Sequence, residues 1–301
     1  MDHPFSFSYP RYLEAKTTVD ERSLNQKVST AFLDHLEEGP SSPTILDVGG
    51  GTGATLLRVL EAMTDRSITQ IDYTLLDPEE ENLSAAADNI STWAARHEWT
   101  HHVEESRHHL TEEGGPGRVT VRYREEGLFS YAERAEHGSY DAIVAQAVLD
   151  LFDVNEAIQA LNPCLSSGGT WYLPIHFDGL TALEPVIDEA LDRAILERYH
   201  ESMSTPQSGR ALLTALPDAG AHLHAVGASD WIVHGREGTY PHNEEYFLKC
   251  ILQFIHQELS EFDDSRFSLS LREWMRRRYE QLRDGTLIYL AHQLDICAVK
   301  K

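Results

Sequence analysis

The stretch Ile45-Leu-Asp-Val-Gly-Gly-Gly-Thr-Gly53 decides the fold. Thr44 to Val48 is a short apolar run of strand character, and Ala54 to Met63 carries Leu56, Leu57, Leu60 and Met63 at helical spacing. The glycines therefore sit at a strand-to-helix junction, where a missing Cβ lets the backbone approach a ligand closely. A second strand ends at Leu75-Leu76-Asp77, and Pro78 closes it. Asp77 lies about where a carboxylate accepts hydrogen bonds from ribose hydroxyls in nucleotide-binding folds.

Outward from the loop, strands and helices alternate. A helix follows from about Glu80 to Ala95. Strands are expected at Val119–Tyr123, Tyr140–Ala145 and Thr170–Ile175, the last entered through Gly168-Gly169. That alternation is the pattern of a doubly wound, mostly parallel α/β sheet covered on both faces. Residues 1–43 read as an arm and a helix (Leu24, Val28, Phe32, Leu36), and residues 44–177 as the nucleotide-binding core. The segment 96–117, polar and rich in His and Glu, reads as a solvent-exposed excursion. Beyond the core come a helical insertion (178–206), a helix and sixth strand (207–234), a helical cap insertion (235–285) and a last strand (286–301). Ser270 and Glu273 have the spacing of a capping box for a helix at Leu271–Arg283. No internal repeat or low-complexity block is evident.

Of 301 residues, 25 are basic and 49 acidic, giving a formal charge of −24. Lysines occur only at 16, 27, 249, 300 and 301, so arginine carries most of the positive charge, a pattern suited to a high-salt cytoplasm. Such a surface repels phosphate backbones and anionic lipids, which argues against nucleic acid or membrane as the main partner. Cys164, Cys250 and Cys297 are scattered and odd in number, forming neither a disulfide framework nor a metal-binding spacing. The opening Met1 to Phe5 lacks a basic segment followed by an apolar run, so a soluble, cytoplasmic protein is expected.

The glycine loop alone fits more than one nucleotide. Gly49-x-Gly51-x-x-Ala54 also meets the relaxed dinucleotide fingerprint, which leaves an NAD(P)-dependent oxidoreductase as an alternative. With its neighbours, the chain resembles the class I S-adenosylmethionine (SAM)-dependent methyltransferases over roughly residues 44–175. The carriers of the resemblance are Leu46-Asp47 before Gly49, Gly51 and Gly53, the acidic Asp77, the run Tyr140 to Phe152, and the Leu165–Gly169 turn. The resemblance implies SAM as cofactor, with Gly49, Gly51 and Gly53 (behind Asp47) facing its methionine portion and Asp77 its ribose. It further implies that adenine rests beside Glu126, Gly127 and Leu128; Gln146, which follows strand four, is expected at the cofactor from its place in the chain. An Asp is usual after strand three in the family, and here Glu125-Glu126-Gly127-Leu128 stands in that place. The resemblance completes a seven-stranded sheet with an antiparallel last strand at Thr286–Ile296, and the topology adds a helical cap.

Ligands in open α/β sheets bind beyond the carboxyl ends of the parallel strands, so both insertions should roof a pocket for a small-molecule acceptor. The same helices also suit dimerisation, and a homodimer stays open. Methyl transfer is in-line displacement, for which the protein supplies positioning and, for O- or N-acceptors, a base. Candidate groups follow strands four, five and six: Gln146 and Asp150, His176 and Asp178, Asp230 and Trp231. His176, just past strand five, is the expected base, a structural role being the alternative, with Asp178 to orient it or bind a cationic substrate. The arm aromatics Phe5, Phe7, Tyr9 and Tyr12, with Lys16, either fold over the cofactor or anchor the arm. His292 reads as a core histidine. The pairs His101-His102 and His108-His109 read as a solvated loop, and no metal is expected. A SAM-binding protein without catalysis remains the other alternative.

Overall fold

The computed structural model describes residues 7–104, 106–260 and 265–301. In chain order the elements are α1 (Tyr9–Ser23), α2 (Gln26–Glu38), β1 (Thr44–Val48), α3 (Ala54–Met63), β2 (Gln70–Asp77) and α4 (Glu80–Arg96). Next come β3 (Trp99–Glu104), β4 (Arg107–Glu112), β5 (Arg118–Glu125), α5 (Leu128–Arg134), β6 (Tyr140–Val144), α6 (Val154–Leu161) and β7 (Leu165–Glu184). The chain ends with α7 (Glu189–Glu201), α8 (Ser208–Asp218), β8 (Ala221–Ala228), β9 (Trp231–His234), α9 (Glu244–Ser260), α10 (Ser265–Arg283) and β10 (Ile288–Lys300).

The strands form one sheet in the order β3-β4-β5-β2-β1-β6-β7-β10-β8, with β9 also paired to β10. The five central strands, β5 to β7, are mutually parallel, and β10 runs antiparallel to β7, as the sequence suggests for the last strand. Ten strands stand where seven are expected, for two reasons. The 96–117 segment is a hairpin rather than a loose excursion: β3 and β4 pair antiparallel and extend the sheet beyond β5. As an edge it is wetted on both faces, with Trp99 and Leu110 its buried anchors, so little apolar alternation marks it. The sixth strand is split in two at Ser229-Asp230, opposite an irregularity in β10 between Ala291 and Gln293.

Other boundaries shift for packing reasons. β7 runs past Ile175 to Glu184, because β10 pairs along it from Thr170 to Glu184, so the insertion expected from residue 178 begins as strand. The first 40 residues hold two helices, broken at Asn25, whose side chain caps α2 by accepting from Val28 N. Helix α10 begins at Ser265, so Ser270 lies within it instead of capping it.

Apolar side chains gather in three groups. Helices α2, α3 and α4 cover one face of the sheet with Phe32, Leu56, Leu60 and Ile90 against Ile45, Tyr73 and Val121. Helices α6 and α8 cover the other with Ile158, Leu161, Leu212 and Leu216 against Ile143 and Trp171. The third group forms the cap, where α1, α7, α9 and α10 pack on the upper ends of β7, β9 and β10 through Val19, Ile195, Phe247, Ile255 and Trp274.

Two ion pairs fix the cap. Glu244, at the start of α9 and wholly buried, takes a bidentate contact from Arg22 of α1 and a hydrogen bond from Thr18 Oγ1 at 3.1 Å. Arg278 of α10, with no exposed side-chain surface, meets Asp192 of α7 at 2.8 Å. Trp274 Nε1 donates to the same carboxylate oxygen, and Pro185 O accepts from Arg278. Removing one partner of such a pair strands the other charge without water, whereas replacing both by apolar groups is far milder. Asp192→Ala should therefore cost about 3 kcal/mol or more in urea unfolding, and the double change Asp192→Leu with Arg278→Met should recover most of that loss.

Candidate active site

A cavity of about 1020 Å³ opens beyond the carboxyl ends of β1, β2, β6 and β7. That is the upper end of the size range for small-molecule sites, roughly 300–1,000 Å³, with room for more than one ligand. Its floor is the glycine loop, and its roof is the cap.

The loop is shaped by its backbone. Gly49, Gly51 and Gly53 all have positive φ (64°, 53° and 81°), a region closed to most side chains. Gly49 N and Gly50 N both donate to Leu76 O, which turns the chain sharply out of β1. A Cβ at Gly50 would stand 2.6 Å from Leu75 Cγ, so close packing as well as conformation requires glycine there. Asp77 locks the loop from the neighbouring strand. Its Oδ2 accepts from Gly51 N at 3.0 Å, and its Oδ1 from Glu79 N and Asn82 Nδ2, each at 3.0 Å. Of the roughly four acceptor positions of a carboxylate, one is left for a ligand.

Asp47 is 1% exposed and accepts from Tyr73 OH at 2.6 Å, while its Oδ1 is buried without a partner among the described residues. Burial pushes its carboxyl up to about 7. The Tyr73 bond and nearby Arg58 oppose the rise, and the charge of Asp77 adds to it. An orphaned carboxylate oxygen at the mouth of a glycine loop is what a cationic ligand group would complete.

The other residues expected at the cofactor divide. Glu126, Gly127 and Leu128 line the cavity where α5 begins, and Glu126 is paired with Arg134. Gln146 lines it too, but its amide is already engaged: Oε1 accepts from Thr55 Oγ1 at 3.0 Å and from Arg58, and Nε2 donates to Asp20 Oδ2 at 2.8 Å. Gly53 is not in the lining and packs against Ala86 of α4 instead.

The expected catalytic pair is turned elsewhere. Ile175 and Phe177 face the cavity, which sends His176 between them to the opposite side of β7. His176 is wholly buried, with Nδ1 3.1 Å from Pro174 O and Nε2 without a partner among the described residues. Burial holds its imidazole down at about 4, against the pull of the Pro174 and Leu173 carbonyls, so it is neutral, and it is not part of the cavity lining. Asp178 is bidentate to Arg210 and caps α8 by accepting from Arg210 N at 2.9 Å, a structural task. His292 is half-exposed, not a core residue, and pairs with Asp230 at 2.7 Å. The four hairpin histidines stack across β3 and β4, with His101 Nε2 3.0 Å from His108 Nδ1. Among the described residues no group of three or more His, Cys, Asp or Glu is placed to hold a metal ion.

Sequence reading missed the hub of the roof. Asp20, 2% exposed, accepts from Lys16 Nζ (3.1 Å), Trp231 Nε1 (2.9 Å) and Gln146 Nε2, which clamps α1 across the cavity. The arm expected from Phe5 onward thus does both jobs: Tyr9, Tyr12 and Lys16 line the cavity, and Tyr12 is stacked on Phe247 of α9. Phe5 lies outside the described residues. Tyr199 and Tyr289 complete the wall, and no local motif marks either. Eight carboxylates and one ammonium, Lys16, line the cavity among the described residues.

Residues 46–171 match a family model described as a methyltransferase domain. No curated protein matches the chain. Among solved structures, the chain is similar to a SAM-dependent methyltransferase from Thiobacillus denitrificans in complex with S-adenosyl-L-homocysteine (12% identity, 100% of both chains, TM-score 0.47). It is also similar to a geranyl diphosphate C-methyltransferase from Streptomyces coelicolor (14% identity, 99% of this chain and 83% of that one, TM-score 0.46). A third is the [4+2]-cyclase SpnF (17% identity, 97% and 94%, TM-score 0.44).

Asp47 carries a measurable signature. Its carboxyl sits at about 7 in the folded chain against an ordinary 3.8, so the folded state holds the extra proton between those values. Its contribution to stability is full below 3.8 and is lost as pH rises through 7. Asp47→Asn should raise the melting temperature at pH 8 and leave it nearly unchanged at pH 4, as checked by thermal unfolding at both values.

Proposed function

We propose that the chain, whose residues 46–171 match a methyltransferase-domain model, moves the methyl group of SAM to a small-molecule acceptor held beneath the cap, at oxygen or nitrogen rather than carbon. The observation that carries this reading is continuity: one cavity runs from Asp77 and the glycine loop to an aromatic roof of Tyr12, Tyr199, Phe254 and Tyr289. A cofactor on the floor would present its methyl group to whatever the roof encloses. Residues of α1 and α9 line the cavity, an enclosure that suits a small molecule better than a polymer. The acidity of the surface acts in the same direction.

The parts divide as follows. The Gly49–Gly53 turn lets the backbone meet the methionine portion, Asp47 Oδ1 lies ready for its ammonium, and the spare acceptor position of Asp77 takes a ribose hydroxyl. Glu126, Gly127 and Leu128 border the adenine. SAM when bound supplies an activated methyl on a sulfonium. The protein's part is to orient the acceptor in line, exclude water under the cap and take up a proton where the acceptor carries one. His176 is not proposed for that proton, since it faces away from the cavity. The three buried, unpaired cysteines accord with a reducing, cytoplasmic setting.

Two measurements test the reading. Incubation with methyl-labelled SAM and a cell extract, followed by mass spectrometry, should yield labelled small molecules; SAM binding with no label transferred would leave a binding protein instead. In calorimetric titration SAM should bind and NAD should not. Asp77→Ala removes charge-assisted bonds from the loop and the ribose, and should weaken SAM by about tenfold or more; unchanged affinity would refute the ribose assignment.

A further inference from the structure

Resting on the methyl-transfer reading, we infer that the acceptor is an amine, docked as its ammonium ion against Asp150 within the aromatic chamber. Asp150 stands in the turn just after β6, between floor and roof, and its Oδ1 is buried with no hydrogen-bond partner among the described residues. It is close to both walls. The hydroxyls of Tyr9 and Tyr199 are pushed upward, chiefly by burial, and the charge of Asp150 adds to the rise at each. The charge of Glu258 of α9 adds to the rise at Tyr199 as well.

Charge decides the acceptor class. Asp47, Asp77, Glu79, Glu81 and Glu126 lie with the glycine loop and belong to the cofactor half. The remaining charged groups are Lys16, Asp20, Asp150 and Glu258. Lys16 is paired with Asp20 at 3.1 Å, and among the described residues no other cation lines the cavity for Asp150 and Glu258. An anionic acceptor would enter against two carboxylates and find no free positive group. A neutral hydroxyl would satisfy one oxygen but leave the charge. An ammonium satisfies both, and the aromatic rings of Tyr12, Tyr199 and Phe254, which line the same cavity, suit a cation.

The chemistry then balances on residues already present. The docked ammonium passes one N–H proton to the Asp150 carboxylate, which frees the nitrogen lone pair. That pair forms the new N–C bond to the sulfonium methyl as the C–S bond breaks, its electrons remaining on sulfur. The products are an N-methylammonium and a neutral thioether, S-adenosylhomocysteine. Burial raises the Asp150 carboxyl, outweighing its backbone bond and the nearby Lys16, which makes it a better proton acceptor than an exposed carboxylate.

The test uses the full chain saturated with S-adenosylhomocysteine and three ligands of matched shape: phenethylamine, 2-phenylethanol and phenylacetate, titrated calorimetrically at pH 7. Phenethylamine should bind about tenfold or more tighter than the alcohol, with phenylacetate weakest. Asp150→Asn should erase the gap between amine and alcohol while leaving S-adenosylhomocysteine affinity within about threefold. Glu258→Gln, at an exposed position, should narrow the gap if Asp150→Asn fails to fold. Equal binding of amine and alcohol, no binding by any of the three, a gap that survives these substitutions, or a large loss of S-adenosylhomocysteine affinity in Asp150→Asn would each overturn the inference. Failure of S-adenosylhomocysteine to bind the unaltered chain would instead sink the methyl-transfer reading. Label passing from SAM to phenols or acids but never to amines would leave that reading intact and remove the amine.

Discussion

The antiparallel ladder between β7 and β10 is the constraint on which the upper half of the molecule depends. A doubly wound sheet ordinarily ends at the carboxyl edge of its parallel strands, where loops take over. Here β10 pairs with β7 from Val299 opposite Thr170 to Ile288 opposite Glu184, so hydrogen-bonded backbone rises past that edge. Phe177 and Thr181 on one strand, with Tyr289 and Ala291 on the other, become a wall of the cavity. Helices α7, α9 and α10 then have a rigid surface to bury, and the cap becomes part of the core instead of a tethered lid.

Polar groups within this apolar shell are used economically. Asp20, Glu244 and Asp192 are nearly or wholly buried, and each gathers several donors from other helices or strands. Asp47 and Asp150 are exceptions: each has an Oδ1 left bare among the described residues, and Tyr73 satisfies the other oxygen of Asp47. A buried carboxylate without full pairing lowers the stability of the folded chain, and such groups concentrate where a ligand completes them. The site thus holds a local instability that the glycine loop and Asp77 are rigid enough to withstand.

The floor of the site was readable from the sequence because its geometry is local. A strand, a glycine turn and a helix within twenty residues leave few alternatives, and Asp77 follows at the end of the next strand. The roof was not readable. Asp20 acquires its meaning from Gln146 and Trp231, which are 126 and 211 positions away. His176 was misjudged because proximity to a strand end says nothing of which face a side chain takes; Ile175 and Phe177 claim the cavity and leave it the other side. The β3–β4 hairpin escaped notice because an edge wetted on both faces lacks the alternation by which strands are recognised. Ser270 has the spacing of a cap, yet packing of α10 on α7 and α9 carries the helix back to Ser265.

Gln146 touches both halves of the site. Its Oε1 is tied to Thr55 and Arg58 on the floor and its Nε2 to Asp20 in the roof helix, while its side chain lines the space between. Occupancy of the cavity and seating of α1 therefore draw on the same contacts and cannot vary independently. Linkage makes the relation reciprocal: the factor by which a seated α1 tightens a ligand equals the factor by which that ligand tightens α1. A change that unseats α1 therefore reaches the cavity lining directly, through the Asp20–Gln146 bond.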